Sequence, residues 1–188
     1  ILMIDHFDDS LKTAGQIEEL LGLPVLGLVF NTKHTERGLV AVKDPFSEEA
    51  EAFRGLGASL EIIGAGKSMR TILIVNAKPA EPKTTIAANL AIINAQQGKQ
   101  VILLDGDLKH PHLHSLFGME NQKGFADLIN DRFKSALHAV KDIKGMALIP
   151  SGAVEKDVAG WLDAEKLSLL LSKLQEHADL VIVDSPPA

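Results

Sequence analysis

Four apolar runs constrain this chain more than anything else in it. They are TILIVN (Thr71–Asn76), VILLD (Val101–Asp105), MALIP (Met146–Pro150) and LVIVD (Leu180–Asp184). Each has strand length and none alternates polar with apolar side chains, so each predicts a strand buried on both faces. Stretches of helical spacing separate them: Thr84–Gln97 with Gly98 at its end, Gly124–Ile129, Phe133–Val140, and Asp163–His177 with Leu167, Leu170, Leu171 and Leu174. Strands alternating with helices predict a three-layer α/β fold, a mostly parallel sheet with helices on both faces. Ligands bind such sheets at the carboxyl ends of the strands. Here those ends are polar: Asn76, Asp105 and Asp184.

Upstream, Asp8–Leu21 has helical spacing and Gly22 is placed to end it. VLGLVF (Val25–Phe30) predicts a buried strand, and Asn31–Lys43 a loop or linker. Asp44-Pro45 predicts the start of a helix carrying Phe46, Ala50, Phe53 and Leu60 and closed by Gly64–Lys67. Phe125 and Trp161 are core candidates. The net charge of −6 gives no general attraction for nucleic acid or anionic lipid. The lack of cysteine excludes disulfides and thiolate metal sites. No apolar run approaches the roughly 20 residues of a membrane span, and no signal peptide is visible. A start at Ile1 and a stop at Ala188 predict a fragment.

The chemistry concentrates between Asn76 and Leu90, NAKPAEPKTTIAANL. A phosphate loop needs inward backbone N–H groups, a helix N-terminus, a lysine for the outer phosphates and a hydroxyl for magnesium. Lys83 and Thr84 open a helix after a strand and loop, which is that context. Alone, they also fit a capped helix with a solvated lysine. Asp105 and Asp107 in LLDGDLKHP, and Asp184 in VIVDSPP, change the balance. Magnesium is held by one or two carboxylates plus phosphate and water, and three aspartates at strand ends beside Lys-Thr fit helix capping poorly.

From about Pro45 onward the chain resembles the bacterial tyrosine kinases of capsule and exopolysaccharide export, P-loop proteins related to the Min and Par cell-division ATPases. The pieces that carry the resemblance are EAFRGLGASL (Glu51–Leu60), Thr71–Ala91, GKQVILLDGDLKHPHLHSLFG (Gly98–Gly118), GFADLI (Gly124–Ile129), IPSG (Ile149–Gly152) and DLVIVDSPP (Asp179–Pro187). DDSLKTAGQIEELLGLPVLGLV (Asp8–Val29) looks like the stretch just inside the membrane in that family. The resemblance implies an extension over residues 1–43 and a P-loop kinase-like domain over 44–188 whose C-terminal part lies beyond the chain. It implies ATP or ADP with Mg2+, held by Ala80, Glu81, Pro82, Lys83, Thr84 and Thr85. Lys83 and Thr84 belong to Walker A, Asp105 and Asp107 to Walker A′, and Asp184 to Walker B. Thr84 and Asp184 would hold magnesium, with Asp105 a third candidate ligand. Lys83 would bridge the outer phosphates, and Asp107 or Asp105 would help activate an acceptor hydroxyl. The implied function is an ATP-dependent tyrosine-protein kinase domain that regulates exopolysaccharide or capsule chain length and export. Its implied place is the cytoplasmic face of the bacterial inner membrane, with the polysaccharide polymerase machinery and its own transmembrane segment or adaptor as partners. The rivals are a pseudo-kinase acting as an interaction module and a Par- or Min-like ATPase.

Three departures qualify the match. The family loop reads roughly Pro-Gly-Glu-Gly-Lys-Thr-Thr, whereas here Ala80 and Pro82 stand where the glycines would be. Proline has no N–H for phosphate, which predicts weakened nucleotide binding. The family's ring-forming Glu-x-x-Arg-x-x-Arg is matched by Glu51 and Arg54, but Gly57 replaces the second arginine. The chain has no tyrosine, so the acceptor tyrosines implied by the resemblance lie outside it. HPHLH (His110, His112, His114) invites a metal reading, although zinc needs further ligands in tetrahedral geometry.

Overall fold

The computed structural model describes residues 13–29, 38–66, 69–76, 82–129, 136–153 and 164–186. Among these the helices are α1 (Ala14–Leu21), α2 (Val40–Lys43), α3 (Glu48–Gly64), α4 (Lys83–Gln96), α5 (Leu113–Leu116), α6 (Phe125–Ile129) and α7 (Ala164–Gln175). The strands are β1 (Thr71–Ile74), β2 (Val101–Asp105), β3 (His138–Ala139), β4 (Met146–Ile149) and β5 (Leu180–Asp184). They form one sheet in the order β1-β5-β2-β4-β3. Every pairing is parallel except β3 with β4.

The apolar runs account for this order. β2 is buried along its whole length, and β5 at every residue but Val183. On one face of the sheet Val101, Leu103, Leu148 and Ile182 pack with α4 and Phe53 of α3. On the other, Ile102, Leu104, Ile149 and Val181 pack with Phe125 and Leu128 of α6 and with Leu170 and Leu174 of α7. α4 is buried from Ala87 to Ala95, as expected of a helix apolar on most of its circumference. β1 departs from the expectation of full burial. It is an edge strand, and Leu73 and Val75 are 58% and 61% exposed.

Several sequence expectations are corrected here. Val25–Val29 forms no strand: Val29 packs on the core and Gly27 lies against Leu56 of α3. A short apolar run does not by itself distinguish a strand from an extended segment laid on a helix. The helix expected from Asp44 begins after Ser47, whose hydroxyl accepts the Ala50 N–H at 3.2 Å while Glu48, Glu49 and Glu51 fill the first turn. Phe46 therefore precedes the helix and is 96% exposed. Within the expected linker, Val40–Lys43 is helical, and Val40 and Ala41 are buried. His138 and Ala139, expected in a helix, form the antiparallel edge strand. Asp142 (φ 63) and Gly145 (φ 83) supply the left-handed turn between β3 and β4. Trp161, and residues 133–135 of that expected helix, lie outside the described residues. The described part of the first helix, Ala14–Leu21, is closed at one end by a Thr13–Gln16 capping box and at the other by Gly22.

Candidate functional site

Parallel register does most of the assembly. Asp105 and Asp184 end neighbouring strands and stand opposite each other in the ladder, and Asp184 is also paired with Ile74 of β1. The chain leaving β1 returns as α4, so the start of that helix meets the carboxyl ends of β2 and β5.

Lys83 is the first residue of α4, and its side chain is only 6% exposed. Its Nζ lies 3.2 Å from Asp184 Oδ1 and 3.8 Å from Asp107 Oδ2. The Thr84 hydroxyl donates to Asp184 Oδ2 at 2.6 Å. Lys83 and Asp184 therefore form a buried ion pair, which opposes the effect of burial on the Asp184 carboxyl. A buried ammonium carries three donors, more than these two carboxylate contacts use, and is costly unless something else accepts from it.

Asp105 is fully buried, and both of its oxygens are engaged. Oδ1 accepts from the Asp107 N–H at 3.3 Å, and Oδ2 from the His112 and Leu113 N–H groups, both at 3.2 Å. Burial pushes its carboxyl up to about 7; the Leu113 N–H opposes the shift and the charge on Asp184 adds to it. Burial also raises Asp184, against the Thr84 hydroxyl and the Lys83 ammonium. Asp107 orders the next turn, its Oδ1 accepting from Lys109 and His110 N–H groups at 3.3 and 3.0 Å, while Oδ2 faces Lys83. Gly106 lets these strand ends approach. Its N–H donates to the Asp184 carbonyl at 2.8 Å, and a Cβ there would stand 2.9 Å from the same oxygen. Sequence reasoning passed over Gly106, although a glycine between two aspartates at a strand end is the signal that finds it.

The structure thus brings Lys83, Thr84, Asp107 and Asp184 together, with Asp105 beside Asp184 and turned to the backbone of its own loop. Pro82 caps α4 at φ −75, an ordinary proline value, and its carbonyl accepts the Ile86 N–H at 2.9 Å. Thr85 is half-buried in the first turn. Ala80 and Glu81 lie outside the described residues. His110 and His112 are exposed, and among the described residues no three His, Asp or Glu side chains converge on one metal position. Magnesium suits such a site, because it needs only one or two protein carboxylates and keeps the rest of its shell for water and phosphate. The spare donors of the buried Lys83 ammonium and the Asp184 carboxylate beside the Thr84 hydroxyl fit a magnesium nucleotide.

The family model of the AAA domain (AAA_31) matches residues 69–188. The chain belongs to the AAA domain family. This AAA domain is 32% identical over 154 residues to tyrosine-protein kinase YwqD of Bacillus subtilis (strain 168), a match covering 81% of this chain and 65% of that protein. It superposes on the kinase domain of Escherichia coli tyrosine kinase ETK with a TM-score of 0.85 at 26% identity, over 93% of this chain and 72% of that one. The septum site-determining protein MinD complexed with Mg-ADP from Pyrococcus horikoshii OT3 is more distant, with a TM-score of 0.55 at 26% identity over 64% of this chain and 50% of that one. The resemblance to bacterial tyrosine kinases and the P-loop-type parallel sheet therefore hold for this AAA domain.

Proposed function

We propose that the chain is the nucleotide-binding part of an ATP-dependent tyrosine-protein kinase. The observation that carries this reading is the buried Lys83 ammonium, held between Asp184 and Asp107, with the Thr84 hydroxyl on the same Asp184. Thr84 and Asp184 would hold Mg2+, and Lys83 would meet the outer phosphates of ATP or ADP. The ion, when bound, neutralises charge on the phosphates during phosphoryl transfer. Asp107 would take the proton of the acceptor hydroxyl through Oδ2, the oxygen that faces Lys83. Asp105 holds the loop that presents Asp107. The acceptor is a tyrosine supplied from outside this chain, which has none.

On this reading the setting is control of capsule or exopolysaccharide chain length and export, at the cytoplasmic face of a bacterial inner membrane; the relatives' names carry the tyrosine kinase part alone. Among the described residues no helix is long and apolar enough to cross a membrane. The transmembrane segment or adaptor that the resemblance implies would be a partner. Residues 1–43 form the extension on this reading, with 38–43 as its docked end. A ring of subunits through Glu51 and Arg54 belongs to this reading: the two form an exposed pair at 2.7 Å, a weak contact free to exchange for a neighbour's groups, while Gly57, in place of the second arginine, is buried against α4.

Calorimetric titration with Mg-ADP and Mg-ATP tests the reading, followed by phosphate transfer to a tyrosine peptide. Micromolar binding with transfer supports the kinase. Binding without transfer supports the pseudo-kinase, which Pro82 favours by withholding an N–H from the loop. No binding up to millimolar nucleotide refutes the site.

A further inference from the structure

Asn89 is fully buried in α4, one turn after Thr85. Its Nδ2 donates to the Thr85 and Gly38 carbonyls, both at 2.8 Å, and its Oδ1 accepts the Ala41 N–H at 2.9 Å. One side chain thus joins the turn bearing Lys83 and Thr84 to the backbone of residues 38–41. The same segment reaches the other arm of the site. Gly38, at φ +88, lies so close to α5 that an added Cβ would stand 2.5 Å from Leu116 Cδ1. α5 in turn begins at Leu113, whose N–H is held by Asp105. A second bond to the strap sits at the far end of α4, where Gln96 Nε2 donates to the Ala41 carbonyl at 3.1 Å.

We infer that Asn89 is a positioning residue for the nucleotide site, setting the first turn of α4 against residues 38–41, so that Lys83 and Thr84 meet Asp184 correctly only while that segment is docked. The inference rests on the nucleotide-site reading above. A buried amide satisfied on three sides fixes position more sharply than apolar packing, because any slip leaves polar atoms unpaired. A pull on the chain before Gly38 would therefore be felt at Lys83.

The test uses the whole chain. Asn89→Ala and Gln96→Ala each remove a bond to Ala41, but only Asn89 adjoins the site turn. With folding confirmed by circular dichroism, Asn89→Ala should raise the Kd for Mg-ADP by about tenfold or more, and Gln96→Ala should leave it within about twofold. Equal effects, or no effect of Asn89→Ala, would overturn the inference. If Asn89→Ala does not fold, native-state hydrogen exchange of the unsubstituted chain decides. The Ala41 and Ile86 amides should then open together, with protection matching within about threefold. Exchange at Ala41 about a hundredfold faster than at Ile86 would overturn the inference. Failure of the unsubstituted chain to bind Mg-ADP refutes the nucleotide site instead, and the exchange comparison, which needs no nucleotide, still judges the strap.

Discussion

Replacing Asp105 with asparagine should change how stability depends on pH. The Asp105 carboxyl is raised from 3.8 to about 7, first by burial. The folded chain therefore keeps a proton that the unfolded chain releases above pH ~4, and stability falls as pH rises from there toward about 7, flattening above it. For a shift of this size the loss between pH 5 and pH 8 is about 2–3 kcal/mol. Asparagine does not titrate. Its carbonyl can replace the oxygen that accepts from His112 and Leu113, while its amide meets the Asp107 N–H and loses that bond, costing about 1 kcal/mol at every pH. Urea unfolding of both proteins without magnesium at pH 5, 6, 7 and 8 would read the difference, because all other titrating groups are shared. Asp105→Asn should gain about 2–3 kcal/mol on the parent across that range. Parallel profiles would refute the reasoning: they would mean that the three N–H donors keep Asp105 ionised in the folded state and that burial does not govern it.

Asp184→Ala should abolish the magnesium dependence of nucleotide binding in calorimetry and, by leaving Lys83 buried with Asp107 alone at 3.8 Å, cost about 3 kcal/mol in denaturant unfolding. Glycine at both 80 and 82 should restore an N–H donor to the loop and tighten Mg-ADP by about tenfold or more. Gly106→Ala should destabilise by about 1–3 kcal/mol, because its Cβ would fall 2.9 Å from the Asp184 carbonyl; nucleotide affinity should fall with it in the same titration.

The parts legible in the sequence are those with one physical cause. Continuous apolar runs and strand-end aspartates foretold β2, β4 and β5 and the meeting of Lys83 with Asp184, because burial on both faces and parallel register leave little choice. Val25–Val29 was misread because an apolar run is silent about its partner, which here is a helix. His138–Ala139 was misread because the hairpin turn hides in Lys-Asp-Ile-Lys-Gly, where Asp142 and not a glycine takes the first left-handed position. Val40 and Ala41 read as linker because what they dock on, α4 with Asn89, lies far along the chain. The engagement of Asp105 with backbone N–H groups depends on loop conformation, which residue spacing does not encode.

The strand order has a consequence for how the protein is made. β5, the last of the described strands to leave the ribosome, lies between β1 and β2, and the Thr84–Asp184 hydrogen bond closes across 100 residues. Until Asp184 emerges, the sheet has an empty slot between β1 and β2, and Lys83 lacks its nearest counter-charge. Contacts of such sequence separation form slowly, and the exposed flanks of β1 and β2 would meanwhile invite unwanted pairing in the nascent chain. A chain halted before Leu180 would lack the strand that joins β1 to β2, and with it Asp184, the carboxylate that Lys83 and Thr84 share.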